Sequence, residues 1–171
     1  MIEIVDNLIP QKYLKDIQDY FFSPNAPWTF MQSLTYGEKE DPQSFGFGMS
    51  ICNNGMFDNT YHATLLKGLL YTILEKSGKD SNFRSRVDMT LYNPNNYKHD
   101  VHVDLPMDNI TTIFYMNSSD GNTMIYDNSQ NLLKEIEPIE NRLLIFDGML
   151  PHTGHSPSNH KSRILINTNC I

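Results

Sequence analysis

Val101-His102-Val103-Asp104, followed closely by Ile110-Thr111-Thr112-Ile113-Phe114-Tyr115-Met116, is the stretch on which the reading of this chain turns. From residue 84 onward the sequence period is two, the signature of strands with alternating faces. Arg86–Tyr92, Val101–Asp104, Ile110–Met116, Thr123–Tyr126, Leu132–Ile136, Arg142–Phe146 and Arg163–Asn169 all read as strands. Turn residues separate them, among them Asn93-Pro94-Asn95-Asn96, Asp120-Gly121-Asn122, Asp127-Asn128-Ser129 and Asp147-Gly148. Many short strands so punctuated predict a mainly β domain, a barrel or jelly roll.

The first half has a different rhythm. Ile2 to Val5 predicts a short strand. Pro10 suits the first turn of a helix, and Tyr13, Leu14, Ile17, Tyr20 and Phe21 then recur at helical spacing before Ser23-Pro24-Asn25 ends it. A second helix is predicted from about Asn59, taken as its N-cap, with Leu65, Leu66, Leu69, Leu70, Ile73 and Leu74 as its buried stripe and Gly78 just past its end. Both helices are expected on one outer face of the major sheet. Residues 31–58 read as irregular, with glycines among Phe45, Phe47, Met49 and Met56, and are a candidate lid or core cap. Trp28 reads as a packing anchor. The expected organisation is one domain over 1–171, with helical support and lid in 1–83 and the strand-rich core in 84–171.

Composition narrows the function. The chain of 171 residues, 39% hydrophobic, can bury a real core. No apolar run approaches the ~20 residues of a membrane helix, and the N-terminus lacks the pattern of a signal peptide, so a cytoplasmic location is expected, with no membrane partner. The net charge of −7 and the lack of a basic patch argue against a nucleic-acid partner. Cys52 and Cys170 are expected to be reduced thiols.

The chemistry is carried by four residues. His102 and Asp104, two apart on an expected strand, point to one face. His152 follows Phe146-Asp147-Gly148-Met149-Leu150-Pro151, a strand leaving into a turn. Two histidines and a carboxylate can hold one face of a ferrous ion and leave the other open. Arg163 shares its strand face with Leu165, Asn167 and Asn169, and an inward arginine needs an anion to pair with. Lys161 is its runner-up. His155 and His160 are given no chemical role, and His99 has the wrong parity for the strand face.

At these residues the chain resembles the Fe(II)/2-oxoglutarate-dependent dioxygenase superfamily, nearest its prolyl hydroxylase-like branch and its small microbial and viral members. The likeness spans roughly residues 86–169. It includes Tyr92-Asn93-Pro94 ahead of His102, the strand Thr111–Asn117, the run Gly121–Tyr126, and Ile136-Glu137-Pro138 with Arg142–Phe146 leading to His152. The resemblance implies a double-stranded β-helix. It implies Fe(II) on His102, Asp104 and His152, 2-oxoglutarate held by Arg163 with help from Tyr115 and Tyr92, dioxygen as co-reactant, and ascorbate as a candidate reductant. It implies hydroxylation of an unactivated C–H, in a prolyl or similar residue of a peptide or in a small molecule, with succinate and carbon dioxide as co-products. A non-catalytic metal- or ligand-binding module on the same scaffold is the first alternative. A zinc hydrolase would leave Arg163 and Tyr115 unexplained, and a nucleic-acid demethylase fits poorly with the acidic balance.

Overall fold

The computed structural model describes residues 1–35 and 41–171. Its elements, in chain order, are β1 (Ile2–Val5), α1 (Gln11–Phe21), β2 (Thr29–Met31), β3 (Gly46–Asn53), β4 (Met56–Phe57), α2 (Tyr61–Ser77), β5 (Asn82–Leu91), β6 (Ile110–Tyr115), β7 (Thr123–Tyr126), β8 (Leu132–Ile136), β9 (Arg142–Asp147), β10 (His152–Gly154) and β11 (Ser162–Cys170). An eight-stranded antiparallel sheet runs β1-β9-β6-β11-β5-β3-β2, with β4 beside β3, and a three-stranded sheet runs β10-β7-β8. This is the double-stranded β-helix with two flanking helices that the sequence led us to expect.

Alternation gives the large sheet two unlike faces. Phe114 and Met116, Leu143 and Ile145, Ile164 and Ile166, Met49 and Ile51 project to the side covered by the helices. There they meet Leu14, Ile17 and Phe21 of α1 and Leu66, Leu69, Leu70 and Ile73 of α2. The opposite face packs Ile113, Tyr115, Leu144, Phe146 and Leu165 against Ile125 and Ile136 of the small sheet. The functional cavity lies on this second face.

The helices are locally specified. Pro10 starts α1, and the pairs Lys12–Asp16 and Lys15–Asp19 staple its exposed side at i,i+4. The cap of α2 is Thr60, one residue beyond the expected Asn59; the Thr60 hydroxyl accepts from the Ala63 N–H. Trp28 is the anchor expected, its ring 6.0 Å from Phe21 and its Nε1 donating to the Phe21 carbonyl.

Three expectations are corrected. Within the segment 31–58, residues from Gly46 onward are not an irregular lid, because β3 is an inner strand of the large sheet, paired to β2 and β5. Gly46 and Gly48 mark close packing rather than a loop, since a Cβ on Gly48 would lie 2.5 Å from Met31 Sδ, while Gly55, at φ +76, makes the turn from β3 to β4. Met49 is core, Phe45 is part-exposed beside Phe30, and Met56 is exposed on β4. Gly37 lies outside the described residues. The division at residue 83 also fails structurally, since β1, β2, β3 and β4 complete the same sheet as the later strands. Val101–Asp104 is not a strand either. It touches the small sheet through one isolated bridge, His102 to His152. The two cysteines are free and buried.

Cutting Leu66, fully buried between α2 and the sheet, to alanine is expected to cost roughly 2–5 kcal/mol. The denaturant midpoint at unchanged slope measures it.

Candidate active site

The long connection from β5 to β6 carries His102 and Asp104, and the short strand β10 carries His152. The bridge joins them through paired backbone hydrogen bonds, His102 N–H to His152 O at 3.0 Å and His152 N–H to His102 O at 2.9 Å. This ladder contact, not a shared strand, brings the two imidazoles within 4.7 Å of each other. His102 Nε2 lies 3.7 Å from Asp104 Oδ1, and His152 Nε2 lies 3.5 Å from Asp104 Oδ2.

The outer atoms of the two rings fix their chemistry. His102 Nδ1 faces the Asp100 carbonyl at 3.0 Å, and His152 Nδ1 faces the Leu150 carbonyl at 3.1 Å. A carbonyl only accepts, so each Nδ1 carries the proton and each Nε2 offers a lone pair. The His152 Nε2 is buried without a hydrogen-bond partner. Burial, then the facing His152, holds His102 below the usual histidine range, so it is neutral at pH 7. Asn167 and Asn169 donate to the Asp104 carboxylate and favour its charged form against the cost of burial. Two inward lone pairs and one permanent anion, with ligand atoms all within 4.8 Å of one another, fit a divalent metal held on one face.

Asp104 is itself oriented from the large sheet. Asn167 Nδ2 and Asn169 Nδ2 both donate to Asp104 Oδ2, at 3.0 and 3.2 Å. Arg84 Nη1 stands 3.7 Å from Oδ1. Outer contacts of this kind fix the direction of a ligand and tune its basicity.

Arg163 lies at the other end of the same strand face, 6% exposed in a wall of side chains. Its Nη2 donates to Thr123 Oγ1 at 2.6 Å, and the Tyr115 hydroxyl donates to the same oxygen at 2.7 Å. Its Nε is buried with no hydrogen-bond partner, and among the described residues no carboxylate pairs with it. Burial pulls the Arg163 pKa down and pushes that of Tyr115 up. The guanidinium is thus packed and aimed but lacks its anion. Gly154 makes room for it, since a Cβ there would fall 2.7 Å from Nη1.

One cavity joins the triad to Arg163, lined also by Leu34, Thr35, Thr90, Ile113 and Leu165. The sequence reading missed Thr123, which accepts from both Arg163 and Tyr115 and so keeps its own proton to donate. Only its place in the glycine-led strand hinted at a role. His99 also borders the cavity, against the parity argument, because its segment is not a strand. Tyr92 is a further correction. It sits past the end of β5, 55% exposed, and lines a surface groove with Ser158 to Lys161. Its backbone is held there by the Lys161 carbonyl, which also places exposed Lys161 outside the cavity. His160 pairs with Asp120 and His155 with Asn96, in keeping with the structural roles expected of them.

Residues 87–170 match the family model described as the 2OG-Fe(II) oxygenase superfamily. That match implies Fe(II), 2-oxoglutarate and dioxygen as reactants. The fold is that of an oxidoreductase of the 2OG-Fe(II) oxygenase family from Burkholderia pseudomallei, with a TM-score of 0.73 at 11% identity, covering 99% of this chain and 84% of the other. It is also similar to a prolyl hydroxylase from Trichoplax adhaerens, crystallised with a peptide of the hypoxia inducible factor oxygen degradation domain (TM-score 0.70, 14% identity, 99% and 83% covered). A viral collagen prolyl hydroxylase from Paramecium Bursaria Chlorella virus-1 aligns with a TM-score of 0.57 at 13% identity, covering 99% and 96%. No curated protein matches by sequence. No helix among the described residues is long and apolar enough to cross a membrane.

Replacing Thr123 by valine leaves the Tyr115 hydroxyl and Arg163 Nη2 without their shared acceptor. The expected cost is roughly 1–3 kcal/mol, read from chemical denaturation against wild type.

Proposed function

We propose that this chain is a hydroxylase of the prolyl hydroxylase-like type, acting on an unactivated C–H of a peptide residue or small molecule. The observation that carries the reading is one cavity with a lone-pair-bearing His-Asp-His cluster at one end and a buried, anion-less arginine at the other. His102, Asp104 and His152 would hold iron(II). Arg163 would take the far carboxylate of 2-oxoglutarate in a charge-assisted contact. The Thr123 hydroxyl would donate to the same carboxylate, which gives Tyr115 an indirect role: it orients Thr123. In the net reaction one oxygen atom of O2 enters the substrate as a hydroxyl, and the other ends in succinate as 2-oxoglutarate loses carbon dioxide. The protein positions the reactants and keeps out water, while the oxidising power belongs to the bound metal.

Leu34, Thr35, Ile113 and Leu165 supply the apolar or capped walls that a water-excluding site needs. Asn167 and Asn169 keep Asp104 aimed. The prolyl-like assignment is supported by the likeness of the fold to two prolyl hydroxylases. A cytoplasmic site of action, a single domain and independence from nucleic acid belong to the same proposal. A non-catalytic binding module would gain nothing from a second, buried anion site at this spacing from the metal cluster.

Succinate release from 2-oxoglutarate, dependent on added iron(II) and oxygen, tests this reading. Asp104→Ala is expected to abolish it in a folded protein; turnover surviving in that variant would remove the ligand assignment. Arg163→Met is expected to raise the 2-oxoglutarate dissociation constant about tenfold or more, with iron(II) affinity unchanged by equilibrium dialysis.

A further inference from the structure

Arg86 and Asp88 form an ion pair on the floor of the same cavity that the reading above does not use. Arg86 Nη2 donates to Asp88 Oδ2 at 3.1 Å and to the Leu34 carbonyl at 2.9 Å, and Arg86 Nε stands 2.5 Å from Asp88 Oδ1. An ion pair inside a cavity wall is costly and does little for stability by itself. A recognition role accounts for its position.

Strand register separates it from the cosubstrate anchor. Arg163 sits opposite Thr90 on β5, and Asn167 opposite Arg86. The two arginines therefore project from the same sheet face four residues apart along the strands, roughly 13 Å. A five-carbon diacid reaches only about half that. Asn167, the cross-strand partner of Arg86, is also the residue that holds Asp104. Arg86 thus stands level with the metal cluster, across the strands from it, while Arg163 lies four residues further along β11.

The cavity itself is lined by Arg86 and Arg163 against Asp88 and Asp104, with Arg84 outside that lining at 3.7 Å from Asp104. Iron(II) and the 2-oxoglutarate dianion cancel each other, so the positive charge that remains near the metal cluster is that of Arg84.

We propose that Arg86 is the substrate anchor and that the substrate carries a carboxylate close to the carbon that reacts: a free amino acid, a small carboxylic acid or a peptide C-terminus, not an internal prolyl residue. This inference rests on the dioxygenase reading of the site.

The test is anaerobic calorimetry on the protein loaded with iron(II) and 2-oxoglutarate. The probes are the free proteinogenic amino acids and small monocarboxylic acids, each paired with its primary amide, plus a prolyl peptide blocked at both ends. At least one free acid is expected to bind, with its amide weaker by about tenfold or more. The Arg86→Gln/Asp88→Asn double variant, which leaves no unpaired charge, is expected to lose that preference while 2-oxoglutarate affinity stays within about twofold. Arg86→Lys is expected to keep it in part. Equal binding of acids and amides overturns the inference, as does binding of the blocked peptide alone, of no free acid, or with a preference that survives the double variant. Failure of the wild type to bind 2-oxoglutarate would instead overturn the site reading beneath it.

Discussion

The site depends on β11, a strand whose two faces have opposite duties. Ile164, Ile166 and Cys170 lock it to the helices. Arg163, Leu165, Asn167 and Asn169 face the cavity, where they anchor one carboxylate and aim another. A one-residue slip in register would exchange these sets, burying an arginine and two asparagines in the helix-side core. The apolar packing that makes the fold therefore also fixes the spacing between the metal cluster and the anion site.

A second constraint is the treatment of buried charge. Asp104, Arg163 and the Arg86–Asp88 pair are all withdrawn from water, and each is handled differently. Asp104 accepts hydrogen bonds from Asn167 and Asn169, which stabilise it as an anion, and the imidazole lone pairs beside it call for a cation. Arg163 has a hydroxyl partner but no carboxylate, and so is stabilised as a cation that wants an anion. Such unmet demand is expensive in a purely structural protein. Here the two demands open onto one cavity and have opposite sign, as a metal and a diacid require. Asp120 shows the contrasting, structural use of a carboxylate. It accepts from Ser158, Asn159 and His160, and so braces the loop that leads into β11.

Much of this was legible in the sequence. The strands from β6 to β9 and β11 follow from period-two patterning, because half-buried antiparallel strands write their environment into alternate residues. His102, Asp104, His152 and Arg163 were singled out by residue type and order, and Tyr115 through the resemblance alone. What was not legible has physical reasons. β3 was hidden because Gly46 and Gly48, which let Met31 and Leu34 pack closely, look like loop residues in a single sequence. Val101–Asp104 resembled a strand because it is extended, yet only one bridge holds it, so the parity that excluded His99 did not apply. Tyr92 was misplaced because the residue past a strand end no longer obeys the strand's alternation. Thr123 and Arg86 went unnoticed because their importance is set by cross-strand neighbours far away in sequence.

The measurement that bears most directly on the central claim is an anaerobic titration of the metal-free protein with iron(II) and then 2-oxoglutarate, followed by the visible charge-transfer absorption of the chelate. The account predicts one iron(II) per chain, a band that appears only when both are present, and loss of that band in His152→Ala. A folded protein that binds no iron(II), or in which the band is unchanged by His152→Ala, would contradict it.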